Sequence, residues 1–176
     1  FRRVLFRSDS WDEAVGDAET FLGRARLFLE LLRTKNGRTW WRWGPALVLR
    51  LAGDASDHAY AAFLPNAQLG PGSASEMKVP FTSEEIEQMA RGELSSTERE
   101  LRTVALAVQW LQAGAPHLLA GRWLQYQTDS QSSALCVLGM KGKGPCLDRV
   151  DELYRLCAPT DLEVQLVWFP RSAPLQ

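Results

Sequence analysis

Asp54, Glu100 and Asp129 are the residues whose type and placement could do chemistry together. Asp54 ends a first strand, Asp129 ends a fourth, and Glu100 sits in the first turns of the helix between them. Carboxylates carried by separate elements into one small volume are the hard oxygen donors that Mg²⁺ takes. Two such ions roughly 3.5–4 Å apart stabilise both the attacking and the leaving oxygens when a phosphodiester is hydrolysed. Within the helix the choice lies between Glu98 and Glu100. At about 100° per residue, Glu100 falls beside Val104 and Leu111 at the margin of the apolar face. Glu98 falls toward the opposite side and reads as solvated. A carboxylate at a core-facing edge is costly unless something pairs it, and a metal would.

Residues flanking the carboxylates extend the candidate set. Ser56, Ser130 and Gln131 stand where they could touch a sugar-phosphate backbone or a 2′-hydroxyl, although helix capping alone would account for Ser130. Lys141 and Lys143, among glycines, could follow a phosphate backbone or belong to an ordinary solvated turn. Trp40, Trp41 and Trp43 could stack on bases, but packing against apolar surface is the better reading. Asp57 reads as a turn residue bonding its own backbone. His58 and His117 have no partner at metal or triad spacing and read as surface residues.

These groups need a scaffold, and the pattern supplies one. Residues 47–52 form a short apolar run between Pro45 and Gly53, a buried strand, and residues 59–64 form a second. Residues 65–75 make a Gly/Pro/Ser/Asn loop, and residues 77–81 a third strand of an antiparallel meander. Thr82 and Glu85 have capping-box spacing for a short helix over 83–91. Gly92 interrupts, and Ser95 or Ser96 caps a longer helix to about residue 112, with Leu101, Val104, Ala105, Val108 and Leu111 as its apolar set. Residues 123–128 are a strand, 130–140 and 147–157 helices, and 162–169 a final alternating strand. The expectation is an α/β domain with a mixed sheet and the order β-β-β-α-β-α-α-β. Upstream, residues 17–33 read as an amphipathic helix. Its apolar set is Phe21, Leu22, Ala25, Phe28, Leu29 and Leu32, and its solvent face Arg24, Arg26 and Glu30.

Composition narrows the class. With 176 residues, 45% hydrophobic and 23% charged, the chain has room for one ordinary domain and a short appendage. No apolar run is long enough to span a bilayer, and no signal-peptide pattern opens the chain. The three cysteines, Cys136, Cys146 and Cys157, lack zinc-type spacing and read as reduced thiols of an intracellular protein, cytoplasmic or nuclear. A net charge of −1 neither requires nor excludes a nucleic-acid partner.

Four segments carry a family resemblance: LRLAGDASDHAYAAF, SSTERELRTVALAVQWL, GRWLQYQTDSQSSALCVLGMKG and LVWFPR. They resemble the ribonuclease H-like domains of retrotransposon polyproteins of DIRS, gypsy or BEL type, where this domain follows a reverse transcriptase. Asp54-Ala55-Ser56 matches the family's DAS-type motif, and Arg99-Glu100-Leu101 its REL motif. Residues 128–131 match its TDSQ motif, and residues 168–171 its W-x-PR motif. The likeness covers about residues 45–176, with the motifs in the right order. It implies a ribonuclease H-like fold and a two-metal endoribonuclease acting on the RNA strand of an RNA–DNA hybrid during reverse transcription. The site would be Asp54, Glu100 and Asp129 with two Mg²⁺ ions, for which Mn²⁺ can substitute. The reverse transcriptase in cis would be a partner.

The family's fourth carboxylate lies beyond the W-x-PR motif. The expectation is therefore a domain over 45–176 without that residue or the closing helix, and with weak or no activity. Residues 9–44 are expected to be a connector from the polymerase. Residues 1–8, FRRVLFRS, resemble the translation of a sequencing-library adapter and are expected to be non-native. Two other readings stand beside the leading one. One is a non-catalytic connection domain that binds hybrid, the other a related nuclease or recombinase acting on DNA.

Overall fold

The computed structural model describes residues 18–35, 48–64, 75–139 and 144–170. The chain falls into two units, residues 1–36 and 37–176. In the first, α1 (Ala18–Lys35) forms where helical spacing predicts it. Of its expected apolar stripe, Leu22, Phe28, Leu29 and Leu32 are exposed, whereas Leu27, outside the stripe, is buried. Spacing selects a helix, but which of its faces is covered depends on tertiary neighbours that no periodicity encodes.

The second unit is built on one five-stranded sheet. Its strands are β1 (Val48–Ala55), β2 (Ala59–Phe63), β3 (Glu76–Pro80), β4 (Trp123–Thr128) and β5 (Glu163–Trp168), in the spatial order β3-β2-β1-β4-β5. The first three form an antiparallel meander, whereas β1–β4 and β4–β5 are parallel. The helices are α2 (Ser83–Ala90), α3 (Ser96–Gly114), α4 (Gln131–Gly139) and α5 (Pro145–Cys157). The mixed α/β sheet and the expected element order are both present, with α2 as the short capped helix before α3.

Alternation along the strands sends Leu49, Leu51, Tyr60, Ala62, Leu124 and Tyr126 into the core. They meet Leu101, Val104, Val108 and Leu111 of α3, which lies across β1 and β2. On its other side α3 packs on α5, whose Val150, Leu153 and Cys157 recur at helical spacing. The Arg102 guanidinium bonds Glu152, which Arg149 also reaches at 3.0 Å, tying the two helices at their rim.

Local signals set the boundaries. The Thr82 hydroxyl and Glu85 close the expected capping box on α2, and Gly92, at φ 71°, turns the chain out of that helix. Pro145 starts α5 two residues earlier than expected, its ring holding φ at a helical value. Strand β1 runs three residues past its expected end because Gly53, Asp54 and Ala55 stay paired with Ala62, Ala61 and Tyr60 of β2. Asp54 therefore stands at the end of the paired strand, one residue before its last.

Cys157 is buried in the core, and Cys136 and Cys146 pack against it. Among the described residues no helix is long and apolar enough to cross a membrane.

Candidate active site

Sheet register brings the two aspartates together. In the parallel pair, Ala52 of β1 stands beside Gln127 of β4. Two residues further along each strand, Asp54 and Asp129 reach the same sheet edge. Glu100 arrives from the first turns of α3, which crosses the carboxyl end of β1. One carboxylate oxygen from each of the three lies within 4.8 Å of the others. Asp54 is exposed, Asp129 half-buried and Glu100 buried, at 7% exposure. The two aspartates open on a groove of about 590 Å³, toward Ala61, Lys78 and Phe169.

Each member is fixed by its surroundings. Glu100 Oε1 accepts from the Ala55 N–H at 3.2 Å, a bond between residues 45 apart that pins α3 to the strand carrying Asp54. Glu100 Oε2 is buried without a hydrogen-bond partner. Burial pushes the Glu100 carboxyl up to about 8, and the neighbouring Asp54 carboxyl adds to this against the opposing Ala55 N–H. A buried acid with one free oxygen facing two further carboxylates is unfavourable as an anion by itself and favourable around a divalent cation.

Asp129 is held through its backbone. The Trp168 indole N–H donates to the Asp129 carbonyl at 3.0 Å, and the Phe169 N–H donates to the Thr128 carbonyl at 2.9 Å. On the other side, Thr128 Oγ1 accepts from the Ser130 N–H, and Ser130 Oγ accepts from the Ser133 N–H at the start of α4. The residue after β4 is thus fixed from both directions, by the last strand and by the next helix.

The remaining sequence candidates divide. The Ser56 hydroxyl accepts from the N–H groups of His58 and Ala59 and closes the β1–β2 turn. Ser130 makes the capping bond just described, and Gln131 is exposed on the first turn of α4. Lys141, Lys143, Trp40, Trp41, Trp43 and residues 1–8 lie outside the described residues. His58 and His117 are exposed, as expected.

Two expectations are corrected. Asp57 does not bond the turn backbone. Ser56 takes that role, and Asp57 is 92% exposed, 3.6 Å from Arg99 Nη1. Glu98 is not solvated but buried at 7% exposure. It is the third residue of α3, and its Oε2 accepts from the N–H and hydroxyl of Ser95 in a capping box. Position in the first turn outweighs helical phase here, because a free backbone donor lies within reach of that carboxylate.

Sequence reasoning missed three contributors. Arg99 of the REL motif donates from Nη1 to the Ser56 carbonyl at 3.1 Å, bracing the end of β1 against α3. Trp168 belongs to the W-x-PR motif, but nothing in that motif announces its bond to Asp129. Tyr126 lies wholly buried with its hydroxyl against Gly53, the residue before Asp54, and only its alternating strand position hints that it points inward.

No family model matches the chain, and no curated protein sequence does either. Two solved structures similar to it are RNase H domains. One is RNase H1 from the halophilic archaeon Halobacterium salinarum, 16% identical, with a TM-score of 0.48 over 71% of this chain and 87% of that one. The other is the N-terminal RNase H domain of a Mycobacterium tuberculosis protein, solved as a fusion with maltose-binding protein. It is 17% identical, with a TM-score of 0.46 over the same shares of the two chains.

Proposed function

We propose that this chain is the ribonuclease H domain of a retroelement polyprotein, hydrolysing the RNA strand of RNA–DNA hybrids in a metal-dependent reaction. The observation that carries the proposal is the convergence of Asp54, Glu100 and Asp129 from two strand ends and a helix to within 4.8 Å. The donor set fits a hard divalent cation. All three ligands are carboxylates, and the buried Glu100 Oε2 makes no hydrogen bond among the described residues while facing the Asp54 carboxyl. Asp54, Glu100 and Asp129 would hold Mg²⁺, or Mn²⁺ in its place. When bound, two such ions supply a water activated near neutral pH and charge stabilisation at the phosphate.

The protein's own residues do the positioning. The Ala55 N–H and the Trp168 indole keep Glu100 and Asp129 in place before substrate arrives, so little reorganisation is needed at the reacting centre. The groove beside Asp54 and Asp129 leaves that edge open to a nucleic-acid backbone. Ser56, Ser130 and Gln131, and Lys141 and Lys143 beyond α4, are the proposed contacts to sugar and phosphate. A reverse transcriptase encoded upstream in the same polyprotein is the partner in cis that this reading implies.

Cleavage of a labelled RNA–DNA hybrid with and without Mg²⁺ tests the reaction, and calorimetric titration with Mn²⁺ tests the ligands. Wild type should cleave the RNA strand only with metal, and Asp54→Asn, Glu100→Gln and Asp129→Asn should each abolish it. Hybrid bound tightly but never cut would favour the non-catalytic reading. Metal affinity left intact in all three variants would defeat the site assignment.

A further inference from the structure

Among the described residues, two buried polar atoms near these carboxylates make no hydrogen bond: Glu100 Oε2 and the Tyr126 hydroxyl. Tyr126 is on β4, three residues before Asp129, and its side chain is wholly buried. The phenol reaches toward β1. A Cβ built on Gly53 would stand 2.1 Å from the phenol oxygen and 2.9 Å from the ring carbon bearing it. The hydroxyl thus occupies the space that a side chain at Gly53 would fill, beside the residue preceding Asp54. Ala55, two residues further on, donates its N–H to Glu100. Besides burial, the charges that act on the phenol are those of Glu100 and Asp54.

Packing gives no reason for this oxygen. A buried hydroxyl without a partner is unfavourable, and Phe would fill the same core without that cost. The hydroxyl also requires Gly at position 53, a residue that weakens a strand interior. What the phenol does supply is one O–H donor among carboxylates. A carboxylate oxygen has two lone pairs, so Glu100 Oε2 can face a cation with one and accept from the phenol with the other.

We infer that Tyr126 is a positioning residue for Glu100, its hydroxyl donating to the carboxylate when Glu100 holds a divalent cation. The inference rests on the reading of Asp54, Glu100 and Asp129 as metal ligands. The phenol then fixes one Glu100 oxygen as the Ala55 N–H fixes the other, and the orientation of the buried ligand is set from both sides. Donors of this kind, which touch a ligand and not the metal, typically change metal affinity by about 10–100-fold.

The test is Tyr126→Phe in the full chain, followed by Mn²⁺ titration calorimetry, urea unfolding in EDTA, and hybrid cleavage resolved into kcat and KM. The expected result is metal-free stability equal to or above wild type, with Mn²⁺ affinity lowered about tenfold. At limiting metal kcat should fall while KM for the hybrid stays unchanged, and raising Mn²⁺ should restore it. In a Glu100→Gln background the same substitution should have no further effect on residual metal binding. Equal Mn²⁺ affinity in wild type and Tyr126→Phe overturns the inference while leaving the metal site standing. Absence in wild type of saturable Mn²⁺ binding that Asp129→Asn removes overturns both.

Discussion

Replacing Glu100 by Gln should make the metal-free protein more stable at neutral pH, even though it removes a proposed ligand. Glu100 is 7% exposed, and its carboxyl is raised from 4.5 to about 8 by burial and by Asp54. The native state therefore holds this proton more tightly than the unfolded chain does. The resulting stability is present in full below about 4.5 and is lost as pH rises through about 8. At pH 7 the unfolded carboxyl has already ionised while the buried one resists. Across those roughly 2.5 pH units, at about 1.36 kcal/mol each, the loss reaches about 3 kcal/mol.

Gln carries no charge, keeps an oxygen for the Ala55 N–H, and offers an amide donor to the neighbouring carboxylates. Urea unfolding in EDTA, repeated from about pH 5 to about pH 8, should therefore show Glu100→Gln gaining on wild type as pH rises. Adding Mg²⁺ should reverse the order, because binding to the native state stabilises wild type more than the variant. A difference between the two proteins that stays constant over that range would refute the electrostatic argument. Stabilisation of Glu100→Gln by Mg²⁺ equal to that of wild type would refute the role of Glu100 as ligand.

Three further outcomes are expected. Trp168→Phe removes the donor to the Asp129 carbonyl, a partly exposed bond worth about 1 kcal/mol, so Mn²⁺ affinity measured by calorimetry should fall about fivefold. Gly53→Ala places a Cβ 2.1 Å from the Tyr126 hydroxyl and 2.7 Å from the Ala61 carbonyl. Overpacking of this kind should cost about 1–3 kcal/mol in urea unfolding. Adding Tyr126→Phe should recover only part of that loss, since the Ala61 carbonyl remains in the way. Ser95→Ala opens the capping box of α3 and should lower stability by about 1 kcal/mol, read as a shift in urea midpoint at unchanged slope.

Much of this protein is written locally. The alternation of Leu49 and Leu51, or of Leu124, Tyr126 and Thr128, declares a strand with one buried face. The spacing of Leu101, Val104, Val108 and Leu111 declares a helix and places Glu100 at its core-facing edge. Each of these patterns depends on residues a few positions apart, so the sequence alone determines it. Glu98 shows how such a signal can be misjudged. Its spacing from Ser95 is that of a capping box, and position in the first turn, not helical phase, governs its burial.

Tertiary structure decided what no local pattern holds. The Ala55 N–H meets Glu100 across 45 residues and the Trp168 indole meets Asp129 across 39, through strand order and helix crossing. The fit of Tyr126 into the space beside Gly53 arises because β4 lies parallel to β1 in one particular register. The sequence by itself determined that Asp54, Glu100 and Asp129 stand at the ends of their elements, because those ends follow from short-range patterns. Only the folded sheet decided that the three meet within 4.8 Å, one of them buried, because register and burial belong to elements distant in the chain.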